Sequence, residues 1–224
     1  MSRNLFLSLL CCLLLLSCGK DNYDPPESEL SGKIISRTTG DAIGVRETGT
    51  PVEMQLYQDG YQLHTPILVY VNQDGTFSAK LFDGVYKLVS ADNAGPWVNK
   101  RDTVLVSVKG NSTVDYPVDP YFTLENENFK VSGDVLTVNF NILQEIKDPT
   151  KQMQSVTLYI NNTRFVDSGY NKMAVTVPDP SLGSNSLSVN ISKLSSYPVL
   201  YARIGLQITN IGQQVYTVGS VKIK

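Results

Sequence analysis

The chain has 224 residues, room for one large or two small domains, and its 42% hydrophobic fraction with 12 Tyr and 7 Phe excludes a mostly disordered polymer. Its net charge is −2 with Lys and Arg scattered, so the basic stripe that phosphate-backbone binding needs is missing and nucleic acid is excluded as a partner. All three cysteines, Cys11, Cys12 and Cys18, precede the main body of the chain, so no disulfide staples it and burial with strand pairing must hold the fold.

Arg3 precedes an apolar run from Leu5 to Leu16, interrupted only by Ser8 and two cysteines. That run falls short of the roughly 20 residues a membrane helix needs and reads as the core of a secretory signal. It ends in Leu15-Leu16-Ser17-Cys18-Gly19, which resembles the lipobox of bacterial lipoproteins. The resemblance implies removal of residues 1–17, thioether lipidation of Cys18 and acylation of the new amino terminus, an anchor of several acyl chains that holds permanently. Residues 18–30, polar, acidic and broken by Pro25 and Pro26, read as a tether. The acidic stretch behind Cys18 is similar to the signal that sends Bacteroidetes lipoproteins to the outer face of the outer membrane. A solvated spacer facing the periplasm has the same composition.

From Leu30 onward the chain breaks into short alternating segments punctuated by Gly, Asn, Asp and Pro, the pattern of an all-β protein. Val52, Met54 and Leu56 share one face of a strand, as do Phe77, Ala79 and Leu81, and Val104, Val106 and Val108. Asn72-Gln73-Asp74-Gly75, Asp83-Gly84 and Lys109-Gly110-Asn111-Ser112 supply turns between them. Ser31-Gly32-Lys33-Ile34-Ile35, Pro51 to Leu56, Asp74-Gly75-Thr76-Phe77 and Asp83-Gly84-Val85-Tyr86 together resemble a carboxypeptidase regulatory-like domain, here residues 31–119. In that family the glycines make turns and the adjacent aromatics enter a sandwich core, and the role is accessory, never enzymatic. This chain departs from the family in an enlarged first loop, Thr38 to Thr50.

Asp119-Pro120 marks a boundary, after which residues 120–224 repeat the alternation: Leu136, Val138, Phe140 and Ile142, then Val156, Leu158 and Ile160, then Leu187, Val189 and Ile191. The segment Leu194 to Ile204 is similar to a late strand of a fibronectin type III domain, with Tyr201 in the place of its corner tyrosine, and Val215 to Lys224 reads as a complete last strand. The expected architecture is two Ig-like antiparallel β-sandwich domains in tandem, folding independently on either side of Asp119. Lipobox, regulatory-like domain and fibronectin-like domain in this order resemble Bacteroidetes outer-membrane lipoproteins of unknown function, often encoded beside SusC- and SusD-like glycan uptake systems.

Catalytic chemistry finds little support. His64 is the only histidine and sits beside Thr65-Pro66 in a loop, without a nucleophile or orienting group in view. No nucleophile elbow or phosphate loop occurs, lipidation of Cys18 leaves no thiol, and no pair of carboxylates stands out for glycoside hydrolysis. Asp21 to Asp24 and Asp92-Asn93 lack the full ligand run of a calcium loop, so neither metal nor cofactor is expected.

The feature that suits a glycan is the loop Asp92 to Arg101 with the sole tryptophan, Trp97. An exposed indole covers the CH face of a sugar while Asp92, Asn93 and Asn99 bond its hydroxyls. Alternatively, Trp97 folds under the loop or fills the seam between domains, its N–H on a carbonyl. The function that follows is an accessory surface lipoprotein binding glycan or SusC- and SusD-like partners, with a structural or adhesive surface subunit as the alternative and a hydrolase remaining only by default. The lipobox generates one direct prediction: Cys18→Ser releases the protein from the membrane fraction, and retention of that variant in the membrane contradicts lipid anchoring.

Overall fold

The computed structural model describes residues 24–60, 62 and 64–224; the signal segment, Cys18 and most of the acidic stretch behind it lie outside the described residues. Eight strands build the first domain: β1 (Ser28–Ser36), β2 (Glu53–Tyr57), β3 (Ile67–Tyr70), β4 (Thr76–Leu81), β5 (Gly84–Ser90), β6 (Val104–Val108), β7 (Asn111–Thr113) and β8 (Tyr116–Val118). One sheet runs β4-β1-β7 with β8 also on β1, and the facing sheet runs β3-β2-β5-β6. The turns follow from local chemistry. Gly75 adopts φ +82°, where a Cβ would lie 2.6 Å from the Ile43 carbonyl oxygen, and Asp74 accepts from the Thr76 backbone N–H at 3.1 Å and its hydroxyl at 2.7 Å. The aromatics next to the two turn glycines, Phe77 and Tyr86, are buried, and the Tyr86 hydroxyl donates to the Phe82 carbonyl at 2.9 Å.

Two details differ from the sequence expectation. The tether ends earlier than residue 30, because β1 starts at Ser28, whose buried hydroxyl donates to Asp83 at 2.5 Å and accepts from the Gly110 N–H at 2.9 Å. The sheet is also not wholly antiparallel: β1 pairs antiparallel with β4 but parallel with β7 and β8.

The second domain comprises β9 (Phe122–Ser132), β10 (Val135–Gln144), β11 (Met153–Asn161), β12 (Met173–Pro178), β13 (Gly183–Asn190), a 3-10 turn (Ser192–Leu194), β14 (Tyr201–Ile208), β15 (Val215–Tyr216) and β16 (Val221–Lys222). Its sheets run β13-β10-β9 and β12-β11-β14-β15, with β16 also on β14. Leu136, Val138, Phe140 and Ile142 of β10 meet Val156, Leu158 and Ile160 of β11 in a core that the period of two requires. The chain end is not one strand but two short ones, split by a turn in which Gly219 takes φ +73°. Tyr201 is half-buried at the start of β14, packed against Tyr159, Val166 and Tyr216, and its hydroxyl makes none of the hydrogen bonds among the described residues that a corner tyrosine would make. No helix among those residues is long and apolar enough to cross a membrane.

The two domains meet in a packed seam, where the sequence suggests units that fold separately. Buried apolar residues of both form one continuous cluster running from Leu30 and Ile34 through Val118, Tyr121 and Leu124 to Ile204 and Val215. At its edge lies Arg203 of β14, 0% exposed. Its Nε donates to the Thr217 carbonyl at 2.9 Å, and Nη1 donates to the carbonyls of Val45 at 2.9 Å and Val166 at 3.4 Å. Nη2 donates to the carbonyl of Gln73. The guanidinium carbon stands 4.6 Å from the centre of the Tyr216 ring. Burial pushes the guanidinium down to about 10 and the Tyr216 phenol up to about 12, so at neutral pH the first is charged and the second is not.

Val45 and Gln73 belong to the first domain, so the enlarged loop is a plug. The Tyr216 N–H donates to the Gly44 carbonyl at 3.0 Å, at a place where a Cβ on Gly44 would lie 2.3 Å from the Tyr216 carbonyl oxygen. Thr48 donates through its N–H at 3.0 Å and its hydroxyl at 2.6 Å to the two oxygens of the buried Asp167. Arg203→Met removes the cation and strands its acceptor carbonyls in a dry seam. It is expected to cost about 3–5 kcal/mol in urea denaturation, and a loss below about 1 kcal/mol would show that other contacts hold the domains together.

Candidate functional site

The loop between β5 and β6 is organised by Asp92. Its Oδ1 accepts from the Asn99 amide at 2.7 Å, its Oδ2 from the Asn93 amide at 3.2 Å, and the Asn99 oxygen accepts from the Asn93 backbone N–H at 3.1 Å. Asn93 adopts φ 51°, a left-handed conformation that asparagine tolerates better than most residues. Three of the four sequence-predicted site residues therefore meet in one closed set of hydrogen bonds, with Asp92 as its organiser.

Trp97 completes the loop but is no open platform. The side chain is only 5% exposed, and a Cβ on Gly95 would lie 2.2 Å from the indole, so Gly95 lies directly against the ring. Trp97 bridges to Pro120, the Val98 N–H donates to the Asp119 carbonyl at 2.9 Å, and the Tyr121 N–H donates to the Pro96 carbonyl at 3.4 Å. The ring fills the seam between domains because removing so large an apolar surface from water outweighs leaving it as an exposed shelf. The indole N–H, for which a carbonyl partner was expected, makes no hydrogen bond with the described residues.

Beside this ring the two domains enclose a cleft of about 190 Å³. Asn93, Trp97 and Asn99 contribute from the first domain, and Tyr121, Lys151 and Asn210 from the second. The Lys151 ammonium donates to the Asn210 carbonyl at 2.9 Å and lies 5.9 Å from the centre of the Tyr121 ring. Tyr121 is 7% exposed, its hydroxyl makes no hydrogen bond with described residues, and burial, with the Asp148 charge second, raises its pKa. The cleft is thus lined by two largely buried aromatics, amides and one ammonium. Larger hollows, beside Asp24 and Phe82 and beside Asp41 and Asn126, are more open to solvent.

The half of the cleft from the second domain was invisible in the chain order, since Tyr121, Lys151 and Asn210 come from separate loops. The one available signal was an aromatic directly after the boundary proline. His64 is exposed, and among the described residues no three His, Cys, Asp or Glu side chains are placed to hold a metal ion. Geometry alone therefore defines a two-domain, all-β protein with a small mixed aromatic and polar cleft at the domain junction.

Comparison with known proteins adds a family to that class. Residues 28–119 match the N-terminal domain of a protein family of unknown function, DUF3823, and residues 122–220 match the C-terminal domain of unknown function of the same family. The chain belongs to the DUF3823 family. A crystal structure of a DUF3823 protein from Parabacteroides merdae is 39% identical, with 90% of this chain and 100% of that one covered at a TM-score of 0.82. One from Bacteroides ovatus is 34% identical, covering 88% and 98% at 0.79. A more distant structure from Bacteroides uniformis, described as a "putative carbohydrate binding protein", is 18% identical, covers 89% and 99% at 0.69, and shares the fold. No curated protein matches the chain.

The placement of Trp97 sets a two-part test. Its intrinsic emission is expected to be blue-shifted and poorly quenched, and Trp97→Ala to destabilise the protein by about 3–5 kcal/mol. Red-shifted emission with an unchanged melting temperature would return the ring to the surface.

Proposed function

We propose that this protein is a non-catalytic lipoprotein, anchored through Cys18 in the outer membrane and facing the cell surface, that binds glycan in the junction cleft as an accessory of a polysaccharide uptake system with SusC- and SusD-like partners. The observation that carries the reading is the cleft itself. Ligand pockets combine apolar and aromatic walls with a few fixed polar groups, and here Trp97, Tyr121 and the amides of Asn93 and Asn99 stand in that mixture. The Tyr121 hydroxyl and the Trp97 N–H have no acceptor among the described residues and are not sealed from solvent, so both are open to a sugar hydroxyl in place of water. The carbohydrate-binding description of a protein with the same fold agrees with this reading.

Position supports it as well. The tether enters β1 at Ser28, and the strand runs nine residues, about 30 Å, to Ser36, whose hydroxyl donates to Glu145 of the second domain at 2.5 Å. The point where the tether joins the first domain and this contact with the second domain therefore lie at opposite ends of one strand, which supports a junction held away from an anchor at Cys18.

Binding of the mature protein to a glycan array, followed by titration of the best ligand, tests the proposal. Tyr121→Phe removes only an unpartnered hydroxyl, so its melting temperature is expected to hold while affinity falls about 3- to 10-fold. Tyr70→Ala, on the outer face of β3 where the ring is 56% exposed, is expected to leave binding unchanged. Binding abolished by Tyr70→Ala and untouched by Tyr121→Phe would move the site to that sheet face.

A further inference from the structure

We infer that the cleft selects an anionic sugar, a ring bearing a uronate carboxylate or a sulfate ester, and seats the anionic group on Lys151; this rests on the glycan-binding reading above. Among the residues lining the cleft there is one formal positive charge and no negative one. An ammonium has three donors, and the only hydrogen bond that Lys151 Nζ makes among the described residues is to the Asn210 carbonyl. Among the described residues no carboxylate lies within 4 Å of it.

Asp148, whose charge is felt by both Lys151 and Tyr121, and Asp92 beside the cleft each make their hydrogen bonds within their own loops. Asp148 accepts from the Thr150 N–H at 2.8 Å and the Thr150 hydroxyl at 2.7 Å, and those bonds hold its carboxyl below the usual range against the cost of burial, with the Lys151 charge a lesser cause in the same direction. Both oxygens of Asp92 accept from the asparagine amides, and Asp92 does not line the cleft. Each acid is thus fixed by its own loop, and the ammonium is left as the one ion facing the space.

The neighbouring groups suit the same ligand. The Tyr121 hydroxyl and the indole N–H of Trp97 are further donors without a described acceptor on residues that line the cleft. A charged acceptor forms the stronger hydrogen bonds with such a set. A volume of about 190 Å³ lies below the roughly 300–1,000 Å³ of pockets for drug-sized ligands and suits one sugar ring with its substituent.

The test compares charged glycans with their uncharged counterparts on the mature protein. Trigalacturonate and trimannuronate are titrated beside their methyl esters, and a sulfated, uronate-free galactose oligosaccharide beside its desulfated form. At least one charged member is expected to bind about tenfold or more tightly than its counterpart, the two series telling carboxylate from sulfate, with affinity falling as salt rises. Lys151→Gln is expected to erase the preference and Lys151→Arg to keep it, both with the melting temperature of the parent. Equal binding of charged and uncharged members, or a preference that survives Lys151→Gln, overturns the anionic assignment while leaving the glycan cleft standing. Failure of every charged probe, where an uncharged array glycan binds in a Tyr121-dependent way, does the same. A blank array together with a blank titration removes the glycan reading itself, and this inference with it.

Discussion

One buried cation holds this molecule together. Arg203 has left water entirely, and a lone guanidinium in a dry interior is costly unless its donors are met. They are met by carbonyls of Val45 and Gln73 from the first domain and Val166 and Thr217 from the second. Neither domain alone supplies the set, so the charge that would destabilise an isolated second domain becomes a reason for the pair to stay joined.

That constraint accounts for the length of the first loop. Residues 38–50 must travel far enough to bring the Val45 carbonyl to Arg203, Gly44 to the backbone of Tyr216 and Thr48 to Asp167. A further contact crosses the seam where Trp97 meets Pro120, beside Asp119, which accepts from Lys100 at 2.8 Å and pairs with Arg37 at 3.3 Å within the first domain. The cleft belongs to that seam: its two walls come from different domains, and a site whose walls do not shift loses less entropy on binding.

Much of the fold was legible in the amino-acid order because a strand with one wet face shows its period. Leu136 to Ile142 and Val104 to Val108 alternate, and the glycine turns before Phe77 and Tyr86 sit at the strand ends the structure shows. Arg203 was hidden by the same rule. It lies between Ala202 and Ile204, which face the core, and parity assigns it to solvent. The loop of the first domain covers that outer face, so β14 is buried on both sides along most of its length. The parallel pairing of β1 with β7 and β8 leaves no local mark either. Of the site, the asparagine and tryptophan wall was readable as a polar loop around one large ring, whereas the choice between shelf and seam depended on a partner domain whose position no local pattern encodes.

The central claim is that the seam makes one cooperative unit of two sandwiches. Differential scanning calorimetry of the mature chain tests it most directly, by comparing the calorimetric enthalpy with the van't Hoff enthalpy of unfolding. The account predicts a single transition in which the two agree. Two resolved transitions, or a calorimetric enthalpy about twice the van't Hoff value, would contradict it and return the protein to a pair of independent domains.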